Sequence, residues 1–350
     1  MKATYKKHIL NFKRPSGTSR GTLKTKETWF LILEDSGQYG IGECAVFRGL
    51  SYDDVPDYEE KLAWVSRNIN LGEGELIKEL KHFPSIQFGL EQAFLSLAAR
   101  DSFKLFHTPF VNEYKPIAIN GLIWMGDIDF MHEQIQRKLV EGFSCIKMKI
   151  GAVDFNKEIT LLQSIRNRFD KDEIELRVDA NGAFSSFEAL DKLSILSTLD
   201  LHSIEQPIKA GQWNSLKELC SETPLPIALD EELIGIVDIE KKDELLRTVR
   251  PQYIILKPSL VGGFQGSEEW ISIAEKYKIG WWVTSALESN IGLNAIAQWT
   301  SVLNSNLPQG LGTGALFTNN IDSPLEVRNG SLYYNPKKVW DNKLIKNLCT

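Results

Sequence analysis

Six charged residues lie at the ends of five successive short apolar runs in this 350-residue chain: Lys147 and Lys149 on the first, then Asp179, Glu205, Asp230 and Lys257. One charged residue at a strand end is ordinarily a solvated cap, but six at one rim, ordered base–acid–acid–acid–base, are not explained that way. Three converging carboxylates repel one another unless a cation neutralises them. No histidine or cysteine belongs to the set, and all-oxygen ligation suits a hard ion, Mg²⁺ first, with Mn²⁺ as a substitute. Lys147 and Lys149 are two residues apart, so on a strand they share one side, as do Arg177 and Asp179. Neighbouring ammonium groups depress each other's pKa, and a divalent cation adds to the effect, so a lysine can serve as a neutral base near pH 7. A lysine base beside carboxylate-bound Mg²⁺ is equipped to remove a proton α to a carboxylate, the metal stabilising the resulting ene-diolate.

The elements that would position these groups recur with a regular step. The apolar runs are Ile117–Ile123, Cys145–Ile150, Glu175–Asp179, Leu201–Glu205, Pro226–Asp230, Tyr253–Lys257, Gly280–Ser285 and Gly310–Gly314. From Lys149 the polar ends fall at 179, 205, 230, 257, 285 and 312, steps of 30, 26, 25, 27, 28 and 27 residues. Each step is the length of one strand and one helix, and eight such units make an α/β fold of the (β/α)8-barrel type, whose active sites lie at the C-terminal strand ends. Periodicity alone does not show closure, so a doubly wound sheet stays open as the alternative, although no Gly-x-Gly-x-x-Gly follows the first strand. Lys257 falls three strands beyond Asp179, across the bore from Lys149. Trp281 and Trp282 are adjacent on the seventh run, so one of them faces the helices as core.

The first hundred or so residues read as a separate α+β unit. Thr28–Leu33 and Tyr39–Cys44 flank the turn Asp35-Ser36-Gly37, a hairpin signal. Helical patterning covers Tyr58 to about Asn68 and Gln87 to Phe106, and Arg14–Gly21, rich in Gly, Ser and Pro, reads as a mobile loop. The expected organisation is a capping domain over 1–112, a barrel over 113–320 and a segment over 321–350 that returns to the cap.

Composition narrows the partners. Forty basic against 46 acidic side chains give a net charge of −6, which disfavours a nucleic-acid binder. Four scattered cysteines offer neither a disulfide framework nor a zinc site, and five histidines show no ligand spacing. No apolar run approaches 18 residues, so no membrane partner and a cytoplasmic location are expected.

The motifs around the six residues are Lys147-Met148-Lys149, Arg177-Val178-Asp179-Ala180-Asn181-Gly182, Ile204-Glu205-Gln206-Pro207, Ala228-Leu229-Asp230-Glu231 and Lys257-Pro258-Ser259-Leu260-Val261-Gly262-Gly263. With them the chain resembles the muconate-lactonizing subgroup of the enolase superfamily, over both the cap and the barrel. Thr284–Gly292 and Gly310–Phe317 further resemble those members that dehydrate 2-succinyl-6-hydroxy-2,4-cyclohexadiene-1-carboxylate in menaquinone biosynthesis. The resemblance implies a small carboxylate substrate and Mg²⁺ on Asp179, Glu205 and Asp230. It implies Lys149 as base and then acid on one face, Lys147 as its modulator, and Lys257 as a cation over the opposite face. Arg177 and Asn181 match positions near the metal.

For substrate contacts the candidates are Asn120 at the end of the first strand, Ser285 and Glu288, the backbone near Gly312 and Gly314, and Arg20 in the loop of the cap. Glu231 is a candidate neighbour of the metal or a plain loop carboxylate. The rival readings are an N-succinylamino acid racemase or dipeptide epimerase with Lys149 and Lys257 as opposed bases, or a binding protein without chemistry. The place where epimerases carry Asp-x-Asp reads Gly312-Thr313-Gly314, which disfavours the epimerase.

Overall fold

A computed structural model describes residues 1–18 and 21–341. The cap is an antiparallel sheet of β1 (Lys2–Thr18), β2 (Gly21–Asp35) and β3 (Gln38–Cys44), in that order, packed on helices that include Tyr58–Arg67 and Pro84–Ala98. The expected hairpin is β2–β3, with Ser36 and Gly37 both at positive φ in its tight turn. The run Trp29–Leu33 is apolar throughout because β2 is covered on both faces. Trp29, Leu31 and Leu33 pack with Leu62, Val65 and Leu90 of the cap helices, while Phe30 and Ile32 pack with Ile291, Ile321 and Trp340. Gly42 lets β3 lie directly on a helix, since a Cβ there would stand 1.9 Å from the Gly89 carbonyl oxygen.

Two expectations for the cap are corrected. Arg14–Thr18 is not loop but the end of β1, paired with β2 through Ser16–Leu23, Gly17–Thr22 and Thr18–Gly21 after a register shift that absorbs the Pro-containing stretch. The second helix stops at Ala98 rather than Phe106. Beyond it the chain turns, and the Asp101 carboxylate accepts from the Phe103 N–H at 3.1 Å.

The barrel holds seven parallel strands in chain order: β5 (Gly121–Ile123), β6 (Cys145–Lys149), β7 (Glu175–Asp179), β8 (Ser203–Glu205), β9 (Ile227–Leu229), β10 (Tyr253–Leu256) and β11 (Gly280–Val283). The expected first run divides. Ile117–Ala118 forms β4, which joins the terminal hairpin β12 (Leu325–Arg328) and β13 (Ser331–Tyr334), and only Gly121–Ile123 enters the barrel. The eighth position is not a ladder strand at Gly310–Gly314 but two residues, Gln309 and Gly310. Gln309 bridges to Ile119 and Gly310 to Thr284. A stretch with three glycines in five residues has little side chain to pack, which leaves these two bridges to close the circle. Among the described residues no helix is long and apolar enough to cross a membrane.

Cap and barrel are joined by buried carboxylates at the starts of barrel helices. Glu43 of β3 accepts from the N–H groups of Ser289 and Gly292, both at 2.9 Å, where the helix Asn290–Leu303 begins. Glu91 accepts from the N–H groups of Phe264 at 2.6 Å and Gln265 at 3.1 Å, at the start of the helix Gly263–Lys276. Gly263, at φ +71°, leaves room for it, because a Cβ would meet Glu91 Oε2 at 2.0 Å. On the other side of the cap sheet, Trp340 stacks on Phe103 at 4.3 Å.

Burial pushes the Glu91 carboxyl up to about 8, against the two N–H donors that favour its charge. A carboxyl with a raised folded-state pKa contributes stability fully present below its ordinary pKa and lost as pH rises through the raised one. The wild type is therefore expected to lose stability from pH 5 to pH 8 relative to Glu91→Gln, by up to about 1.4 kcal/mol per pH unit. Thermal unfolding of both proteins across that range measures it. A melting-temperature difference that stays constant with pH would contradict the assignment.

Candidate active site

The charged residues meet because β6 to β10 are adjacent and in register. Lys149 pairs with Asp179 across β6–β7, and Asp179 with Glu205 across β7–β8. Asp230 and Lys257 follow directly on β9 and β10. Asp179, Glu205 and Asp230 are all buried. Lys149 Nζ donates to Asp179 Oδ2 at 2.9 Å and to Asn181 Oδ1 at 2.7 Å. Lys147 Nζ lies 3.1 Å from Asp179 Oδ2 and also binds Glu205, while Lys257 binds Asp230. Asn181, at φ +45°, turns back so that its own N–H donates to Asp179 Oδ1 and its side-chain NH₂ to Glu231 Oε1, both at 3.0 Å. Glu231 thus stands beside the cluster, not in open loop.

Electrostatics in this cluster follow burial and pairing. Burial opposes the charge of Lys147, but Asp179 and Glu205 outweigh it and raise its pKa. At Lys147 the adjacent carboxylates count for more than the neighbouring ammonium. Burial likewise works against Asp179, yet Lys147 and Lys149 hold it well below the usual carboxylate range. Glu205 goes the other way, pushed up by burial and by Asp179.

The donor set fits a hard divalent ion. Three carboxylates crowd together, and Glu205 Oε1 is buried with no hydrogen-bond partner, an oxygen left over for a cation. Among the described residues no three acidic, His or Cys side chains are already drawn into a metal cage. Ammonium groups take up the carboxylate oxygens instead.

Above the cluster lies a cavity of about 740 Å³, lined by Lys147, Lys149, Asp179, Asn181 and Lys257. Asn120, Thr284, Ser285, Gly312 and Thr313 wall it from the barrel, and Lys13, Arg14, Phe47 and Leu50 cover it from the cap. The two candidate bases, Lys149 and Lys257, thus open onto one space. Spacing along the sequence gave no signal for Phe47 or Leu50, because contacts between domains carry no local periodicity, whereas Thr313 lies within the Gly312–Gly314 stretch already singled out.

Several sequence candidates fall elsewhere. Arg177 does share a side with Asp179, but two residues earlier on the strand it is about 7 Å deeper, in the floor of the barrel. There it stacks over Trp282 at 4.3 Å, donates to Glu175 at 2.6 Å and to the Pro308 carbonyl at 3.0 Å, and does not line the cavity. Trp281 packs into the main core beside the helices. Gly314 also turns away from the cavity, towards Asn290 and Leu293. Glu288 is wholly buried behind Ser285 and is a carboxylate, so it supports the wall rather than gripping an anion. Arg20 lies outside the described residues.

Residues 131–338 match the family model described as enolase C-terminal domain-like. The chain is 45% identical to an o-succinylbenzoate synthase from Desulfotalea psychrophila, over 95% of this chain and 98% of that protein. It superposes on the crystal structure of MenC from Desulfotalea psychrophila LSv54 with a TM-score of 0.85 and 42% identity, covering 95% of this chain and 99% of that one. An L-Ala-D/L-Glu epimerase from Bacillus subtilis is 23% identical over 82% of this chain and 81% of that protein.

Proposed function

The chain belongs to the enolase C-terminal domain-like family, and from that membership we propose that it is an o-succinylbenzoate-forming hydro-lyase. It would remove water from 2-succinyl-6-hydroxy-2,4-cyclohexadiene-1-carboxylate, a small dicarboxylate, in the cytoplasm as a step of menaquinone biosynthesis. The observation that carries this reading is the near full-length identity to a protein of that name. The lysine–carboxylate floor of the cavity gives it a mechanism.

Lys149, aimed by Asp179 and Asn181, takes the proton α to the ring carboxylate; the C–H pair moves into the ene-diolate. The same lysine then returns its proton to the departing hydroxyl on that face, the C–O bond breaks and water leaves, a syn elimination. Lys147 keeps its charge and holds Asp179 and Glu205 together. Lys257 sets a positive charge against the opposite face of the ring, worth about 2 kcal/mol when desolvated. Phe47 and Leu50 of the cap add apolar side chains to the cavity lining. Asp179, Glu205 and Asp230 would hold Mg²⁺, or Mn²⁺ in its place, and the ion supplies positive charge against the ene-diolate.

One cavity flanked by two lysines also suits racemisation of an N-succinylamino acid, and Lys257 separates the two readings. Arginine keeps a charge but is no base near neutral pH. The expected result is that the purified protein with Mg²⁺ forms o-succinylbenzoate, that Lys257→Arg retains measurable formation, and that this variant racemises nothing. Lys257→Met controls for the bulk of the side chain. A folded Lys257→Arg protein that racemises an N-succinylamino acid at the wild-type rate would overturn the charge-only role.

A further inference from the structure

β1 pairs with β2 as far as Asn11 and again from Ser16, and between those points the chain turns onto the barrel. Phe12 forms an antiparallel bridge with Phe317, both side chains buried and their rings 4.7 Å apart. The Lys13 N–H donates to the Leu316 carbonyl and the Thr318 N–H to the Asn11 carbonyl, each at 2.8 Å. Asn319 closes the junction, its side chain accepting from the Asn11 N–H at 2.8 Å and donating to the Ile9 carbonyl at 2.7 Å. The backbone of Lys13 is thereby fixed to the barrel. Side chains alternate along extended chain, so with Phe12 turned into the core Lys13 faces the other way, where it borders the reaction cavity beside Leu316.

A dicarboxylate substrate needs a partner at each end. Lys149 and the carboxylate cluster serve the ring carboxylate, which leaves the one at the tip of the succinyl arm. The nearest wall hydroxyls are spent, since Ser285 donates to Glu288 at 2.5 Å and Thr313 donates to Ser285 at 2.8 Å. Lys147, Lys149 and Lys257 are paired with the buried carboxylates. Farther out along the cavity, Lys138 pairs with Glu141 at 2.7 Å and Arg328 lies over the Tyr333 ring at 4.7 Å. Arg14, which also borders the cavity, is already engaged. The Lys13 ammonium has no hydrogen-bond or ion-pair partner among the described residues.

We propose that Lys13 selects for a dicarboxylate: held at the cavity wall by its backbone bond to Leu316, it binds the succinyl carboxylate while Lys149 acts at the ring. The proposal rests on the dehydration reading and deepens it by naming the group that reads the far end of the substrate. An ammonium–carboxylate hydrogen bond is charge-assisted, and at an exposed side chain it is screened by salt. The contact lies away from the reacting bonds and is the same before and during proton transfer, so it lowers KM and leaves kcat alone.

The test uses the Mg²⁺-loaded wild type, Lys13→Met, Lys13→Arg and Arg14→Met. Dehydration is followed at steady state, with two inhibitors: o-succinylbenzoate, and o-butyrylbenzoate, which carries a methyl group where the succinyl carboxylate stands. Lys13→Met is expected to raise KM about tenfold, the scale of one hydrogen bond to a charged group, with kcat within about twofold of wild type. Its Ki for o-succinylbenzoate should rise by the same factor, and its Ki for o-butyrylbenzoate should not move, a pattern that general damage to the fold does not produce. Lys13→Arg should stay near wild type. Raising the ionic strength should weaken o-succinylbenzoate binding to wild type more than to Lys13→Met. A Lys13→Met enzyme with wild-type KM, or one that weakens both inhibitors equally, overturns the proposal. So does an Arg14→Met enzyme that alone shows the selective loss. Wild type that binds the two inhibitors equally well overturns it without any variant. Wild type that forms no o-succinylbenzoate would instead sink the functional reading, a separate outcome.

Discussion

Lys149→Ala is expected to abolish dehydration, lowering turnover by at least about 10⁴-fold. A positioned general acid or base contributes about 10²–10⁴-fold, and here one amine serves in both halves of the reaction. Lys149 is held by two acceptors, Asp179 Oδ2 and Asn181 Oδ1, and opens onto the cavity. No other lysine has that pair of partners among the described residues, so none substitutes for it. Exchange of the α-proton with deuterated solvent should vanish together with dehydration, because both begin with the same transfer. Mg²⁺ binding and melting temperature should remain close to wild type. A Lys149→Ala enzyme that forms o-succinylbenzoate at near wild-type rate would remove the mechanism, and one that exchanges the proton without dehydrating would assign the base elsewhere.

The second large effect is expected at the carboxylates. Glu205→Gln, Asp179→Asn and Asp230→Asn should each lower turnover by about 10²–10³-fold or more, the scale of one group that stabilises developing charge. Glu205 is the most telling of the three, since its Oε1 is buried without a hydrogen-bond partner while its other oxygen is held by Lys147. An amide there keeps the shape but loses the charge, so calorimetric Mg²⁺ affinity should fall by more than the roughly 10–100-fold that an outer hydrogen-bond partner costs. Removal of divalent ions by a chelator should stop the reaction, and added Mg²⁺ should restore it. Full activity in metal-free buffer, or an unchanged Mg²⁺ affinity in Glu205→Gln, would contradict this arrangement.

Much of the site could be read in the chain because strand ends carry it. Each of Lys149, Asp179, Glu205, Asp230 and Lys257 closes an apolar run, and runs repeating every 25 to 30 residues must lie side by side in a parallel sheet. Alternation along a strand correctly gave Arg177 the same side as Asp179, but it says nothing about depth, and depth puts Arg177 in the barrel floor. Gly314 was misread for a related reason: glycine reports backbone freedom, not the direction in which the chain then travels. The contacts of Glu43 and Glu91 depend on a cap strand or helix meeting the start of a barrel helix some 170 to 250 positions later, which no local pattern encodes. The short eighth position escaped notice because Gly310–Gly314 kept the step of the preceding units while lacking side chains to hold a ladder.

That short position gives the barrel a joint. Every other neighbouring pair of strands is laced by a ladder, whereas Gln309 and Gly310 each hold one side only, through Ala118 and Asn120 on one flank and Val283 and Ser285 on the other. The Gln309 side chain adds a stitch of its own by accepting from the Val283 N–H at 2.7 Å. Closure of the circle thus rests on fewer backbone hydrogen bonds here than between β10 and β11, which pair over four residues. Ser285 and Gly312, which border the cavity, sit at this joint, while Asp179, Glu205 and Asp230 sit on the laced side. The residues that carry the charges therefore sit where strands are fully laddered, and Ser285 and Gly312 sit where the sheet closes through single bridges.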